Sequence, residues 1–119
     1  MRLLGLAFLL VLGVAGPVVV ELTGNVERGK EIYQERCILC HGALGQGWDW
    51  KKVVPPPVPV PDLRKVVPQR SDEYLRTVIR DGGEAVGLTR FMPAFGFNMS
   101  EQDLRDVVAF LRWLQRQTP

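Results

Sequence analysis

The chain has 119 residues, of which 46% are hydrophobic and 24% are charged, and its formal net charge is +2. This length favours a single domain, and the composition is that of an ordinary globular protein. No long run of one charge is present, so we expect no nucleic-acid partner.

The N-terminal segment is strongly apolar. Residues 3–20 carry no charged side chain, with Arg2 before them and Glu21 after them. Eighteen apolar residues are enough for a retained membrane anchor, which needs roughly 17–25. A basic residue before an apolar run is also typical of a cleaved signal peptide, although Gly13-Val14-Ala15 is a mediocre cleavage site. We therefore predict that residues 1–23 are an export signal or, slightly favoured, an anchor, and that the remainder is exported.

Three segments further along the chain are predicted to be helical. The first runs from about residue 26 to residue 40, with Asn25 as its N-cap. The second follows the N-cap Ser71 and stops at Gly82-Gly83. The third follows Ser100, and its apolar stripe has helical spacing. The residues of that stripe are Leu104, Val107, Val108, Leu111 and Leu114.

The segment between the first two helices is rich in glycine and then in proline. Five prolines fall within residues 55–61, which favours a stiff, extended backbone suited to the wall of a ligand site. No alternating pattern of useful length predicts a β-strand. The predicted fold class is therefore all-α, with three main helices and long ordered loops.

The two cysteines and the single histidine of the chain lie together at Cys37-Ile38-Leu39-Cys40-His41. In an exported protein, C-x-x-C-H is typical of covalent haem attachment, with two thioether links and an axial imidazole. A zinc site would lack a fourth ligand, and a thioredoxin-like pair would lack its βαβ setting. A plain disulfide would leave His41 unexplained. We therefore predict one covalently bound haem c, linked through Cys37 and Cys40 and ligated by His41.

The opposite side of the iron needs a second ligand, for which a methionine is the natural candidate. Met99 directly precedes the expected N-cap Ser100 and can form a hydrophobic staple with Leu104, so we expect it in the core. Met92 has no such partner, and Pro93 stiffens the loop that carries it. Met92 is therefore the predicted axial ligand.

Three segments together resemble the class I bacterial c-type cytochromes: Cys37–His41, the helical stretch 71–83, and Met92-Pro93-Ala94-Phe95. The resemblance covers about residues 24–115 and implies the cytochrome c fold for a mono-haem domain at residues 24–119. It further implies that a glycine of the first helix, here Gly29, packs against an aromatic residue of the last, here Phe110. The implied function is electron transfer with His/Met ligation.

Two strong axial ligands leave the iron no open position, so we expect an electron-transfer protein and not an enzyme. Leu63, Phe91 and Phe95 are expected to wall the haem crevice, and Trp48, Trp50 and Trp113 to serve core packing. The protein is predicted to work on the periplasmic side of the cytoplasmic membrane with redox protein partners that are bound to or docked on that membrane. It would be a carrier or the haem subunit of an oxidoreductase complex. The alternative is a haem enzyme or gas sensor with a labile methionine.

Overall fold

A computed structural model describes residue 13, residues 23–47 and residues 58–117. Apart from residue 13, the predicted anchor lies outside these residues, and so do Trp48, Trp50 and Pro55–Pro57. The described part contains α-helices, two short 3₁₀ turns and no β-strand, which confirms the all-α prediction. The helices are α1 (Val26–Arg36), α2 (Ile38–His41), α3 (Leu63–Val66), α4 (Asp72–Asp81) and α5 (Glu101–Gln115). The 3₁₀ turns are Val67–Gln69 and Glu84–Val86.

The three main helices begin where their N-caps predict. The Asn25 side chain accepts a hydrogen bond from the Arg28 amide at the start of α1, and Ser71 caps α4 in the same way. At the start of α5, Ser100 and Asp103 form a reciprocal capping box. Each cap satisfies amides that the first helical turn leaves without partners, so the local sequence sets these boundaries.

Helices α1 and α5 cross in close contact. A Cβ placed on Gly29 would lie only 1.9 Å from the Asp106 carbonyl oxygen and 2.9 Å from the Phe110 Cβ. A Cβ on Gly24 would lie 2.1 Å from the Arg105 carbonyl oxygen. The backbones therefore approach at distances that only glycine permits, and the expected packing of Gly29 on Phe110 is confirmed.

Asp106 is the one charged residue of α5 that is fully buried in this crossing. Its Oδ1 accepts hydrogen bonds from the Asn25 amide (2.7 Å) and from Gln102 Nε2 (2.8 Å). A buried carboxylate is tolerated because these donors replace water. Asp106 therefore ties the beginning of α1 to α5.

The hydrophobic core lies between α5, α1 and α4. All five residues of the predicted α5 stripe are buried, and so is Met99, as expected for a core residue. Trp113 differs from its prediction, because 37% of its surface is exposed while one face stacks on Phe110 with ring centroids 5.6 Å apart. It therefore covers the edge of the core and does not fill it.

Two details of the backbone depart from the sequence prediction. The first helix ends at Arg36; Cys37, with φ −115° and ψ −29°, caps it and joins it to α2, which forms a separate turn. The short helix α3 was not predicted; it begins where the Asp62 side chain accepts from the Arg64 amide. Within the described ranges, no helix has both the length and the apolarity needed to cross a bilayer.

Candidate functional site

The C-x-x-C-H segment forms a tight turn directly after α1. Cys37 lies at the junction, and the His41 amide donates to the Cys37 carbonyl oxygen at 2.9 Å. Cys37 is half-buried, Cys40 is exposed, and both are free thiols. Burial raises the pKa of the Cys37 thiol to about 12. The turn therefore presents two free thiols three residues apart.

Tyr33 fixes this turn against α1. Its buried hydroxyl donates to the Gly42 carbonyl oxygen at 2.5 Å, and burial raises the pKa of that hydroxyl, which keeps it a donor. Gly42 has φ +79°, a conformation that favours glycine. The Gly47 amide donates to the His41 carbonyl oxygen at 2.9 Å on the other side of the turn. The backbone around His41 is thus held from both directions.

The imidazole of His41 is suited to metal ligation. Burial lowers its pKa, which favours the neutral ring that can donate a lone pair. Its Nδ1 is buried and has no hydrogen-bond partner among the described residues. Buried polar atoms normally have partners, and a metal-bound histidine usually donates its other ring N–H to a group outside the metal site.

An apolar crevice of about 380 Å³ opens beside the turn. Cys37, Cys40, His41 and Met92 all line it, whereas Met99 does not. Residues from α3, α4 and α5 close its sides, so the fold brings together four residues that the chain separates by as many as 55 positions. The two thiols, the imidazole and the thioether form a donor set suited to iron and to a covalently held porphyrin.

Met92 is positioned by the loop that follows α4. The Gly83 amide donates to the Met92 carbonyl oxygen at 3.0 Å, and the Met92 side chain packs partly against the core. A Cβ on Gly83 would lie 2.3 Å from the Thr89 carbonyl oxygen, so the loop folds back tightly at this glycine. The methionine is therefore held by backbone contacts with the end of α4.

The three residues expected to wall the crevice all line it. Leu63, Phe91 and Phe95 line the crevice, and Phe91 is still 47% exposed, which places it at the edge of the wall. Pro59 and Pro61 also line it, as the proline-rich loop predicts. Tyr33 was not predicted as a site residue, and its position four residues before Cys37 was the available signal for its place in the site.

The comparisons with known proteins agree with this geometry. Residues 24–111 match the family described as cytochrome c oxidase, cbb3-type, subunit III. The chain belongs to this family. It is also 31% identical over 102 residues to a subunit of nitric oxide reductase from Stutzerimonas stutzeri, a match that covers 81% of the chain. The same match covers 62% of that relative, so the chain spans less than two thirds of its length.

Membership makes this chain a c-type cytochrome, in which one covalently bound haem c serves electron transfer. The crevice of the cytochrome fits that group on two counts: its donor set and its apolar walls. When bound, the haem supplies one-electron exchange between Fe(II) and Fe(III).

Proposed function

We propose that this cytochrome domain, residues 24–119, holds its haem through Cys37 and Cys40 and ligates the iron with His41 and Met92. The observation that carries the proposal is that all four side chains line one apolar crevice while Met99 lies in the core. The Tyr33 hydrogen bond orients the turn, and the apolar walls exclude water from the site. A methionine sulfur and an apolar environment both favour the reduced iron and raise the potential.

Covalent attachment is tested on the purified native protein. We expect acidic acetone to leave the pigment on the polypeptide and the intact mass to exceed that of the polypeptide by one haem. Cys37→Ser and Cys40→Ser should each leave one thioether, and the double variant should release its haem into the solvent. Haem that is extractable from the unaltered protein would contradict the assignment.

We further propose that the chain is the haem subunit of a membrane-bound oxidoreductase, and not a freely diffusing carrier. The similarity to a subunit of nitric oxide reductase supports this choice. Electrons would then pass between the cytochrome and redox proteins fixed in, or docked on, the same membrane. Co-purification of other chains with the haem-stained protein after mild detergent extraction is the expected result, and a monodisperse single chain would contradict it.

The proposed location is the periplasmic face of the cytoplasmic membrane, with residues 3–20 as the anchor. Thr23 and Gly24 already lie against α5, because Gln102 Nε2 donates to the Thr23 carbonyl oxygen and Gly24 packs on Arg105. The four residues 21–24 span at most about 14 Å, so a retained anchor would keep the domain at the membrane surface.

Fractionation of native cells tests the anchor. We expect the haem-stained protein in the salt-washed membrane pellet, and we expect a variant whose residues 1–20 are replaced by a cleavable signal peptide in the soluble periplasmic fraction. A native protein that is soluble and begins near Gly16 would overturn the anchor while leaving the electron-transfer assignment intact.

A further inference from the structure

The charged residues of the crevice are of one sign. Two arginines, Arg36 and Arg70, line it, and no aspartate or glutamate does so in the part of the chain that the structure describes. A haem carries two carboxylates at one edge, and a carboxylate that is withdrawn from water needs a cation or several hydrogen-bond donors. A crevice that contains guanidinium groups and no carboxylate is therefore suited to receive them.

The guanidinium groups of the two arginines differ in the contacts that they already make. Arg36 Nη1 donates to Asn98 Oδ1 at 2.6 Å, which engages this guanidinium with the loop before α5. The Arg70 guanidinium lies over the Tyr74 ring, 4.8 Å from its centroid, and no carboxylate pairs with it within the described ranges. Stacking on an aromatic face leaves the edge of the guanidinium, with its N–H donors, available for a carboxylate.

Arg112 of α5 fixes the backbone that carries Arg70. Its Nη1 donates to the Val67 carbonyl oxygen at 2.7 Å, and its Nη2 donates to the Arg70 carbonyl oxygen. Its Nε donates to Asp72 Oδ1 at 2.8 Å, which adds an ion pair with the first turn of α4. One side chain thus joins the 3₁₀ turn, the backbone of Arg70 and the first turn of α4 to the last helix.

We propose that Arg70 is the counter-ion of a haem carboxylate and that Arg112 is the positioning residue that holds it toward the crevice. The inference rests on the proposed function, because it requires haem in this crevice. It assigns to Arg70 a share in setting the reduction potential, since a cation beside the haem opposes the extra positive charge of the oxidised iron.

The test is a potentiometric titration of the holo-cytochrome, followed by its visible absorption. Arg70→Gln should shift the midpoint potential downward, because it removes a positive charge and leaves a carboxylate unpaired. Arg70→Lys keeps the charge and should recover most of the shift. Arg105→Gln is the matched control. It also removes one positive charge, but from a residue of α5 that does not line the crevice, and it should leave the potential close to that of the unaltered protein.

The positioning role of Arg112 is tested by combining substitutions. Arg112→Gln should shift the potential in the same direction as Arg70→Gln but less, and the double variant should shift no further than Arg70→Gln alone. A merely stabilising role would lower the unfolding temperature without this dependence on Arg70. An unchanged potential in Arg70→Gln with haem still attached would overturn the inference, as would a larger shift in Arg36→Gln. Absence of covalent haem would instead overturn the proposed function.

Discussion

The crossing of α1 and α5 and the loop that carries Met92 are held together by different means. At the crossing, Gly24 and Gly29 bring backbone against backbone, and Gly29 is buried together with Asp106 and Phe110. The loop is held by backbone hydrogen bonds to the end of α4, with Phe95 N donating to the Ile79 carbonyl oxygen and Gly96 N to that of Arg80. Some of its apolar side chains, such as that of Phe91, are exposed to solvent.

This difference separates the residues that stabilise the fold from those proposed to bind the haem iron. At the crossing, the essential property of Gly29 is the absence of a side chain. In the loop, the essential property of Met92 is one sulfur atom, supported by a backbone that other residues could also form. Substitutions at the crossing should therefore affect the free energy of unfolding, and substitutions in the loop should affect ligation.

The largest effect is expected from Gly29→Val. Its Cβ would lie 1.9 Å from the Asp106 carbonyl oxygen, far inside van der Waals contact, so the helices must separate, and we expect a loss of about 3 kcal/mol or more in the free energy of unfolding. Denaturant unfolding followed by circular dichroism measures it. Lys30→Val, at the neighbouring exposed position, is the control. If the Gly29→Val protein were as stable as this control, the close approach of the two helices would not be needed for stability.

Met92→Ala should abolish iron–sulfur ligation while the helices persist. The weak absorption band at the red end of the visible spectrum that marks methionine ligation of oxidised haem should disappear, and the reduction potential should fall. The backbone bond from Gly83 does not involve the side chain and should survive. Met99→Leu, which substitutes a core residue, should keep the band. The reverse pattern in these two variants would transfer the ligand assignment to Met99.

Asp106→Ala should produce an intermediate effect at the crossing. It leaves the Asn25 amide without its acceptor in a partly buried place, which costs about 1–3 kcal/mol. Gln102→Ala removes one donor to the same carboxylate but leaves Asn25 paired, so it should cost less. Thermal unfolding of the two variants checks this order, and both should retain the methionine ligation band. Loss of that band in either variant would show that crossing and loop are not separable.

The smallest effect is expected from Phe97→Ser in the loop. Its side chain is 83% exposed, so the free energy of unfolding should change by no more than about 0.5 kcal/mol. Equilibrium unfolding in urea gives the comparison with the unaltered protein. A clear loss of stability would show that Phe97 covers part of the domain.

The sequence predicts best what depends on neighbouring residues. Asn25, Ser71 and Ser100 mark helix starts because a cap acts over three positions, and the α5 stripe identifies its buried face by helical spacing alone. The Gly29–Phe110 contact was expected only through the family resemblance, because no local pattern connects residues 81 positions apart.

Features that depend on distant partners were missed. Asp106 is a polar residue within an apolar stretch, and its burial becomes understandable only when the Asn25 amide lies beside it. Arg112 reaches carbonyl oxygens more than 40 positions away, for which the sequence offers no signal. The break at Cys37 was missed because helical periodicity continues across it.

Because Thr23 lies beside Gln102, positions along α5 lie at known distances from the point where the chain enters the domain. The chain enters the domain next to the first turn of this helix, and a helix rises about 1.5 Å per residue, so Gln115 lies roughly 20 Å farther along the axis. The two ends of α5 are therefore different places for a spectroscopic label. A probe near Gln102 would report on the junction with the N-terminal segment, and one near Gln115 would stand clear of it by a distance that the rigid helix keeps constant.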